Sequence, residues 1–396
     1  KLRKKFPSVT WANPQKASAT ENTPNQSNGE QFLKRADSLM TARIQTMHIS
    51  PRKGVWNTYY PNATGPYWEG DATVWGQGAA FSGFVALREV SLHVPGFEEK
   101  YSSKDDLFYD GLNHFLTKEN GYWGYACYPA QGNERLLDDN VWIGLDMIDL
   151  YHQTNNARYL DKAETIWKLL MTGNDKVLGG GVYWYDYHLN KRTSKPTCST
   201  APVAVMAAKM YLLTKKKKYL NKAIELYDWL KKNLQDPEDH LFWDLMNEEG
   251  KIDKAKYSYN TGQPMETACL LYQITRKKEY LQEAQQMAEA AFAKWFDNYY
   301  SPQLRREIKV AKGNTWFNAI LLRGYLALYR IDGNNQYIQA YEDMFNNVWM
   351  APEGMDQTGL LNYNDFKGLK PQKSWEVIHV GACVEMMARL ALNRLE

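Results

Sequence analysis

The chain has 396 residues, of which 44% are hydrophobic and 23% charged, with a formal net charge of +3. Such proportions describe an ordinary globular protein with ample material for a core. The scattered, nearly balanced charge offers no basic stripe for nucleic acid, and no run approaches the roughly 18 apolar residues of a membrane helix. Aromatic content is the unusual figure, at 14% from 14 Trp, 27 Tyr and 13 Phe. Such rings serve helix cores, and in loops they suit the apolar faces of sugars.

Residues 1–29 read as a partly irregular N-terminal extension, and residues 30–396 as a single domain. Lys1 to Gln15 lacks the apolar centre of a signal peptide, and the chain begins without Met, so a targeting segment is expected to be absent from it. An amphipathic helix over 30–48 comes first. It is followed by an apolar helix over 75–92 and an amphipathic one over 100–116. The alternation then continues with 138–152 and 157–172, 202–213 and 217–234, 262–275 and 278–296, 315–330 and 335–349, and ends on an apolar helix over 375–392. The densest basic run, Lys215 to Lys218, falls between two helices as a solvated turn.

A recurring phrase ties these helices together. Arg158-Tyr159-Leu160-Asp161-Lys162-Ala163 returns as Lys218-Tyr219-Leu220-Asn221-Lys222-Ala223, as Glu279-Tyr280-Leu281-Gln282-Glu283-Ala284, and loosely as Gln336-Tyr337-Ile338-Gln339-Ala340. The tyrosines lie 60, 61 and 57 residues apart, and eight residues before each stands Tyr151, Tyr211, Tyr272 or Tyr329. A period near 60 with no strand signal predicts an array of helical hairpins. Helices apolar all round belong inside and those with one apolar stripe outside. The N-terminal outer helix and the C-terminal inner helix each lack a neighbour in sequence, so they are expected to pair. The fold class expected is all-α, an (α/α)6 toroid of six helical hairpins, with an open solenoid as the alternative.

The long connections run from an outer helix to the next inner one and hold Gly121 to Tyr125, Gly179 to Tyr187, Phe242-Trp243-Asp244 and Tyr257 to Gly262. Long connections in a compact domain tend to be functional. At the same end, Asp138-Asp139-Asn140 opens an apolar helix. Two adjacent carboxyls divide into nucleophile and acid when their surroundings separate their pKa values, which is what cleavage of a glycosidic bond requires. The plainer reading is that Asp and Asn here only cap the helix and complement its dipole. The four cysteines and seven histidines show no metal-ligand spacing, so buried thiols, and neither metal nor cofactor, are expected.

Asp-Asp-Asn at 138–140, then Gly-Gly-Gly-Val-Tyr-Trp at 179–184, then Tyr-Asn-Thr-Gly at 259–262, resembles glycoside hydrolase family 76 over roughly residues 30–392. The resemblance implies an (α/α)6 barrel acting as a retaining endo-α-1,6-mannanase. It implies Asp138 as nucleophile and Asp139 as general acid/base. Gly180, Gly181 and Trp184 fall on the family's glycine-rich aromatic motif. Tyr259, Asn260, Thr261 and Gly262 fall on a second motif, in which Thr261 stands where Gln is usual. Lys312-Gly313 also fits. Substrate-binding candidates are therefore Asn140, Trp75, Trp123, Gly181, Trp184, Tyr259, Asn260, Thr261, Lys312, Trp316 and Trp375. Arg305, Arg306 and Glu307 read as a surface ion-pair cluster. The expected partner is an α-mannan polysaccharide or oligosaccharide, met outside the cytoplasm by a monomer. The alternatives are a transglycosidase using the same site and a non-catalytic mannan-binding protein.

Overall fold

In the computed structural model, which describes residues 24–44, 49–61, 70–129, 133–186 and 194–396, the repeated tyrosines mark a backbone motif. Helices Leu137–Thr154, Thr197–Thr214 and Ser258–Thr275 each end on a left-handed residue, Asn155 (φ 55°), Lys215 (φ 59°) and Arg276 (φ 60°). The N–H of that residue donates to the carbonyl of Tyr151, Tyr211 or Tyr272 at 2.7, 2.7 and 2.8 Å, satisfying a carbonyl that the helix end would leave unpaired. Gly333 (φ 70°) repeats the motif on Tyr329 after Thr315–Asp332. Four residues further on, the outer helix has begun, and it buries Tyr159, Tyr219 or Tyr337. The spacing of eight is thus one left-handed turn, used four times.

Several boundaries differ from the sequence reading. Two inner helices begin earlier than expected, at Thr197 and Ser258, and carry Pro202 and Pro264 inside them. Proline is at home in a first turn, which is why the sequence appears to open these helices near it; here a full turn precedes each. The outer helix expected over 100–116 is two pieces, Glu98–Ser102 and Asp105–Asn113, with Asp105 receiving a two-pronged bond from Arg88 at 2.6 and 2.8 Å. The connections, expected without strands, contain antiparallel pairs. These are Leu116–Glu119 with Tyr122–Tyr125, Trp243–Asn247 with Ile252–Lys256 and Ser194–Pro196, and Phe296–Ser301 with Arg306–Ala311. Asn120 and Gly121, both at positive φ (48° and 85°), make the two-residue turn that Asn-Gly favours. Arg306 pairs with the buried Asp343 at 2.5 Å, a partner outside the run 305–307. The expectations for residues 1–23, for 45–48 of the first helix and for Tyr187 lie outside the described residues.

Two compact units are distinguishable. One holds Leu116–Lys294 and Ile320–Asn335. In it the inner helices Leu137–Thr154, Thr197–Thr214 and Ser258–Thr275 pack in succession, the first two backed by Ala157–Thr172 and Lys217–Leu234. At Gly262 the backbone of a neighbouring helix comes so near that a Cβ would stand 2.6 Å from the Cα of Leu321. The other unit holds Trp295–Ala319, Gln336–Glu396 and the described residues up to Phe115. There the C-terminal helix Val377–Leu395 packs on Val74–Ser91 and on the N-terminal helix Pro24–Leu39, the pairing of chain ends that the sequence predicts. Among the described residues no helix is long and apolar enough to cross a membrane.

One contact recurs at the start of the inner helices. The fourth helical residue turns its side chain back onto the strand before it. Gln77 does so on both backbone groups of Trp56 (3.0 and 2.8 Å), and Asn140 on both of Tyr125 (2.7 and 2.9 Å). Thr200 accepts from the Val182 N–H (3.0 Å), Thr261 from that of Phe242 (3.2 Å), and Asn318 donates to the Lys312 carbonyl (3.1 Å). Each loop is thereby stapled to the helix it precedes.

The loop before Asp138 has a stronger fastening. Arg135 and Asp186, both fully buried, form an ion pair with Nε–Oδ2 of 2.8 Å, and Arg135 also donates to the carbonyls of Tyr122 (2.9 Å) and Thr117 (3.3 Å). Removing one partner leaves an uncompensated buried charge, at a cost of about 3–5 kcal/mol. Arg135→Met is therefore expected to lower stability by that order in urea melts. A loss below about 1 kcal/mol, the range of exposed pairs, would contradict this.

Candidate active site

The first turn of Leu137–Thr154 is fixed from outside the helix. The Leu137 N–H donates to the Trp184 carbonyl (2.7 Å) and the Asp186 N–H to the Arg135 carbonyl (2.9 Å), so residues 135–137 and 184–186 run as a short paired ribbon. The capping position is Leu136, which makes no side-chain cap, and Asp138 and Asp139 follow as the second and third helical residues. Neither acid is therefore the N-cap, although both stand in the first turn, where they complement the helix dipole. Asp138 Oδ1 accepts the Asp139 N–H at 2.9 Å, and Oδ2 lies 3.6 Å from the Sγ of Cys198, which donates its S–H. The buried indole N–H of Trp184 lies on the side of the same carboxylate and has no partner at hydrogen-bond distance.

These surroundings separate the two acids. Burial pushes Asp138 up to about 6, opposed by the donors from Trp184, Asp139 and Cys198 that favour its anion. Asp139, only 7% exposed, is pushed well above the usual carboxylate range, first by burial and then by the charge on Asp138. Both carboxyls are therefore harder to ionise than exposed ones, and Asp139 is opposed in addition by the charge on Asp138.

Four further groups surround the pair and escape a reading by motif: Cys198, Cys127, Tyr185 and Asp244. Burial first, and then neighbouring acids that include Asp138, raise the pKa of the first three; burial also raises that of Asp244, whose carboxylate accepts from Asn260 Nδ2 at 3.2 Å. A signal for Cys198 does exist in the sequence. Asp138, Cys198 and Tyr259 are the second residues of three successive inner helices, and equivalent positions of a repeat converge on one place.

Of the candidates from sequence, Trp184 and Tyr259 come to the pair, and Asn260 lies next to Tyr259, on Asp244. Trp184 leans on Tyr185 with ring centroids 4.8 Å apart, and Tyr259 hydrogen-bonds Cys198. Asn260 is buried, with its Oδ1 unpaired. Asn140 and Thr261 are corrected: both are fully buried at the fourth helical position, where they staple loops, and neither presents its polar group to a sugar. Gly181 (φ 78°) serves the backbone, since a Cβ there would meet the Trp229 ring at 2.8 Å. Buried Lys195 holds this glycine loop through the Gly180 carbonyl (2.6 Å) and Asp175 (2.7 Å). Trp123 stands on its hairpin, 43% exposed, with Lys118 5.8 Å from its ring. The remaining candidates belong to the other unit. Trp75 and Trp316 meet edge to face at 5.3 Å, Trp375 is buried with its indole on the Leu361 carbonyl (3.0 Å), and Lys312 pairs with Asp297 at 2.8 Å.

The profile of glycosyl hydrolase family 76 matches residues 43–392. The fold is similar to that of a family 76 mannosidase of Bacteroides thetaiotaomicron VPI-5482, with a TM-score of 0.88 and 42% identity over 91% of this chain and 98% of that one. It is also similar to the α-1,6-mannanase of Salegentibacter sp. HEL1_6, solved as an inactive variant with two consecutive aspartates replaced by alanine, in complex with α-1,6-mannotetrose. There the TM-score is 0.70, with 22% identity over 92% of this chain and 99% of that one. The meiotically up-regulated gene 191 protein of Schizosaccharomyces pombe is 29% identical over 48% of this chain, a match that spans 46% of that protein. The fold class is accordingly the all-α, (α/α)6 class of the family's structures. With a profile match over most of its length and a mannosidase at 42% identity, the chain belongs to glycosyl hydrolase family 76.

Proposed function

We propose that this protein is a retaining endo-α-1,6-mannanase in which Asp138 is the nucleophile and Asp139 the general acid/base. The observation that carries the reading is the pair of adjacent buried carboxyls in unlike surroundings: Asp138 accepts the Asp139 N–H and the Cys198 S–H, while Asp139 is raised by burial and by the charge on Asp138. In the first step the Asp138 carboxylate forms a bond to the anomeric carbon. The glycosidic bond breaks, and its oxygen leaves with the Asp139 proton. In the second, the Asp139 carboxylate takes a proton from water, whose oxygen displaces Asp138 from the sugar. Nucleophile, acid and base all come from this pair, so the cycle uses no metal or cofactor.

The oligosaccharide complex of the Salegentibacter mannanase and the mannosidase relative support an α-mannan backbone as substrate. Trp184 and Tyr259 give a sugar ring apolar faces beside the carboxyls, and Trp123 offers a more exposed platform. A profile match that embraces residues of both units supports treating residues 30–396 as one catalytic domain. A polymeric substrate supports a location outside the cytoplasm, and the protein is proposed to act there as a monomer.

Unbranched α-1,6-mannan followed by NMR tests the stereochemistry: the first reducing ends formed are expected to be α, and β ends would overturn retention. Asp138→Asn is expected to abolish turnover. Asp139→Asn is expected to lose about 10²–10⁴-fold in kcat/KM on mannan and much less in kcat/KM on an aryl mannoside whose leaving group needs no proton, while its kcat on the latter falls because the base for the second step is gone. Mannan bound and left intact by the wild type would instead favour a binding protein, and products longer than the substrate a transglycosidase.

The pH profile of kcat/KM follows from the same assignment. Asp138 must be ionised, so activity is expected to rise through about pH 6; Asp139 must be protonated, so it is expected to fall again at a higher pH. Asp139→Asn is expected to remove the alkaline fall in the residual activity and keep the acid one. Loss of the acid limb in that variant would reverse the two roles.

A further inference from the structure

We infer that Cys198 and Tyr259 are positioning residues for Asp138, linked as a relay from tyrosine hydroxyl to thiol to carboxylate. The inference rests on the reading in which Asp138 is the nucleophile. The three residues occupy the same helical position in three successive repeats, so the stacking of inner helices places them in line. The Cys198 Sγ is 3.6 Å from Asp138 Oδ2, an ordinary reach for a sulfur donor, and the Tyr259 hydroxyl donates to the sulfur. The far end of the relay is anchored as well. The residue after Tyr259, Asn260, holds Asp244 at 3.2 Å, and Thr261 staples the helix start to Phe242 at 3.2 Å.

With Oδ1 on the Asp139 N–H and Oδ2 on the thiol, both oxygens of Asp138 are held and its carboxylate plane is set. A thiol suits this task because it is a weak donor: it orients the anion while withdrawing less of its charge than a hydroxyl would. Burial and the charges of Asp138 and Asp244 raise the Cys198 pKa well above the ordinary thiol value, so the group stays an S–H donor and does not compete as a thiolate. The other titratable groups facing Asp138 are Asp139, Cys127, Tyr185 and Tyr259, all acidic or neutral, while Asp244 faces Cys198 and Tyr259. Stabilisation of the anion therefore falls to hydrogen-bond donors, of which the thiol is one.

The test is the acid limb of the kcat/KM profile in Cys198→Ala, Cys198→Ser and Tyr259→Phe, each checked for a wild-type far-UV spectrum and melting temperature. Losing a donor to the ionised form raises its pKa, so Cys198→Ala is expected to move the acid limb up by about 0.5–1 pH unit, the size of one modest hydrogen bond. Cys198→Ser, which keeps a donor, is expected to return it to the wild-type position or below. Tyr259→Phe is expected to move it up by less than Cys198→Ala does. A uniform fall in kcat at all pH values with the limb unmoved in every variant would overturn the relay and leave the hydrolase reading standing. A wild type with no glycosidase activity would overturn the hydrolase reading. The relay would then be read without turnover, as the pH at which the infrared carboxylate band absent from Asp138→Asn appears in the wild type and in Cys198→Ala; coincident values would overturn it.

Discussion

The buried ion pair between Arg135 and Asp186 is the constraint on which the site depends. Two charges taken out of water are tolerable only when geometry and further hydrogen bonds compensate them. Here the guanidinium is met by one carboxylate and by two backbone carbonyls from the two strands of one hairpin. The pair consequently welds the hairpin at 116–125 and the ribbon strand at 184–186 to the residues just ahead of Asp138. Trp184 and the carboxylate it faces are set by the same weld, since Leu137 N–H and the Trp184 carbonyl are bonded across it. Because the charged atoms are buried, the positions of groups a few residues away are specified without depending on exposed side chains.

The Asp138–Asp139 pair pulls in the opposite direction. Both carboxyls have folded-state pKa values raised above those of an unfolded chain. By linkage, any stability they contribute is complete only below about pH 4 and falls as pH rises through their folded values, so at neutral pH they weaken the fold. A site that holds two desolvated acids side by side needs a rigid frame, and the staples at the fourth helical position provide it in both units. Within the unit that contains the pair, the three staples from Asn140, Thr200 and Thr261 fix the loops that end next to Asp138, Cys198 and Tyr259. The same repeat that builds the scaffold thus brings second-position residues together around Asp138 and turns fourth-position residues to the support of the loops.

Much of this was readable from sequence. The tyrosine spacing reflects a single left-handed turn, and a turn of constant length leaves a constant interval. The Asp-Asp pair stands out because two acids open an otherwise apolar helix. What was hidden had specific causes. Pro202 and Pro264 resemble first-turn prolines, so the helices appear to start after Cys198 and Tyr259, which then look like loop residues without register. Asn140 and Thr261 share a motif with site residues, yet helical geometry turns the fourth position toward the preceding strand. The hairpins are short, and only Asn120-Gly121 announces one. A lone cysteine carries no chemical signature until its neighbours are known.

The central claim is that Asp138 becomes covalently bound to sugar while Asp139 manages the proton. The most direct test uses Asp139→Ala with an activated aryl α-mannoside, which forms the glycosyl-enzyme without help from the acid but cannot readily hydrolyse it. Intact-mass spectrometry is expected to show the protein heavier by one mannosyl group, and peptide mapping to place that group on Asp138. A label on another residue, or no adduct while aryl leaving group is released in a burst and β-mannose appears, would contradict the account.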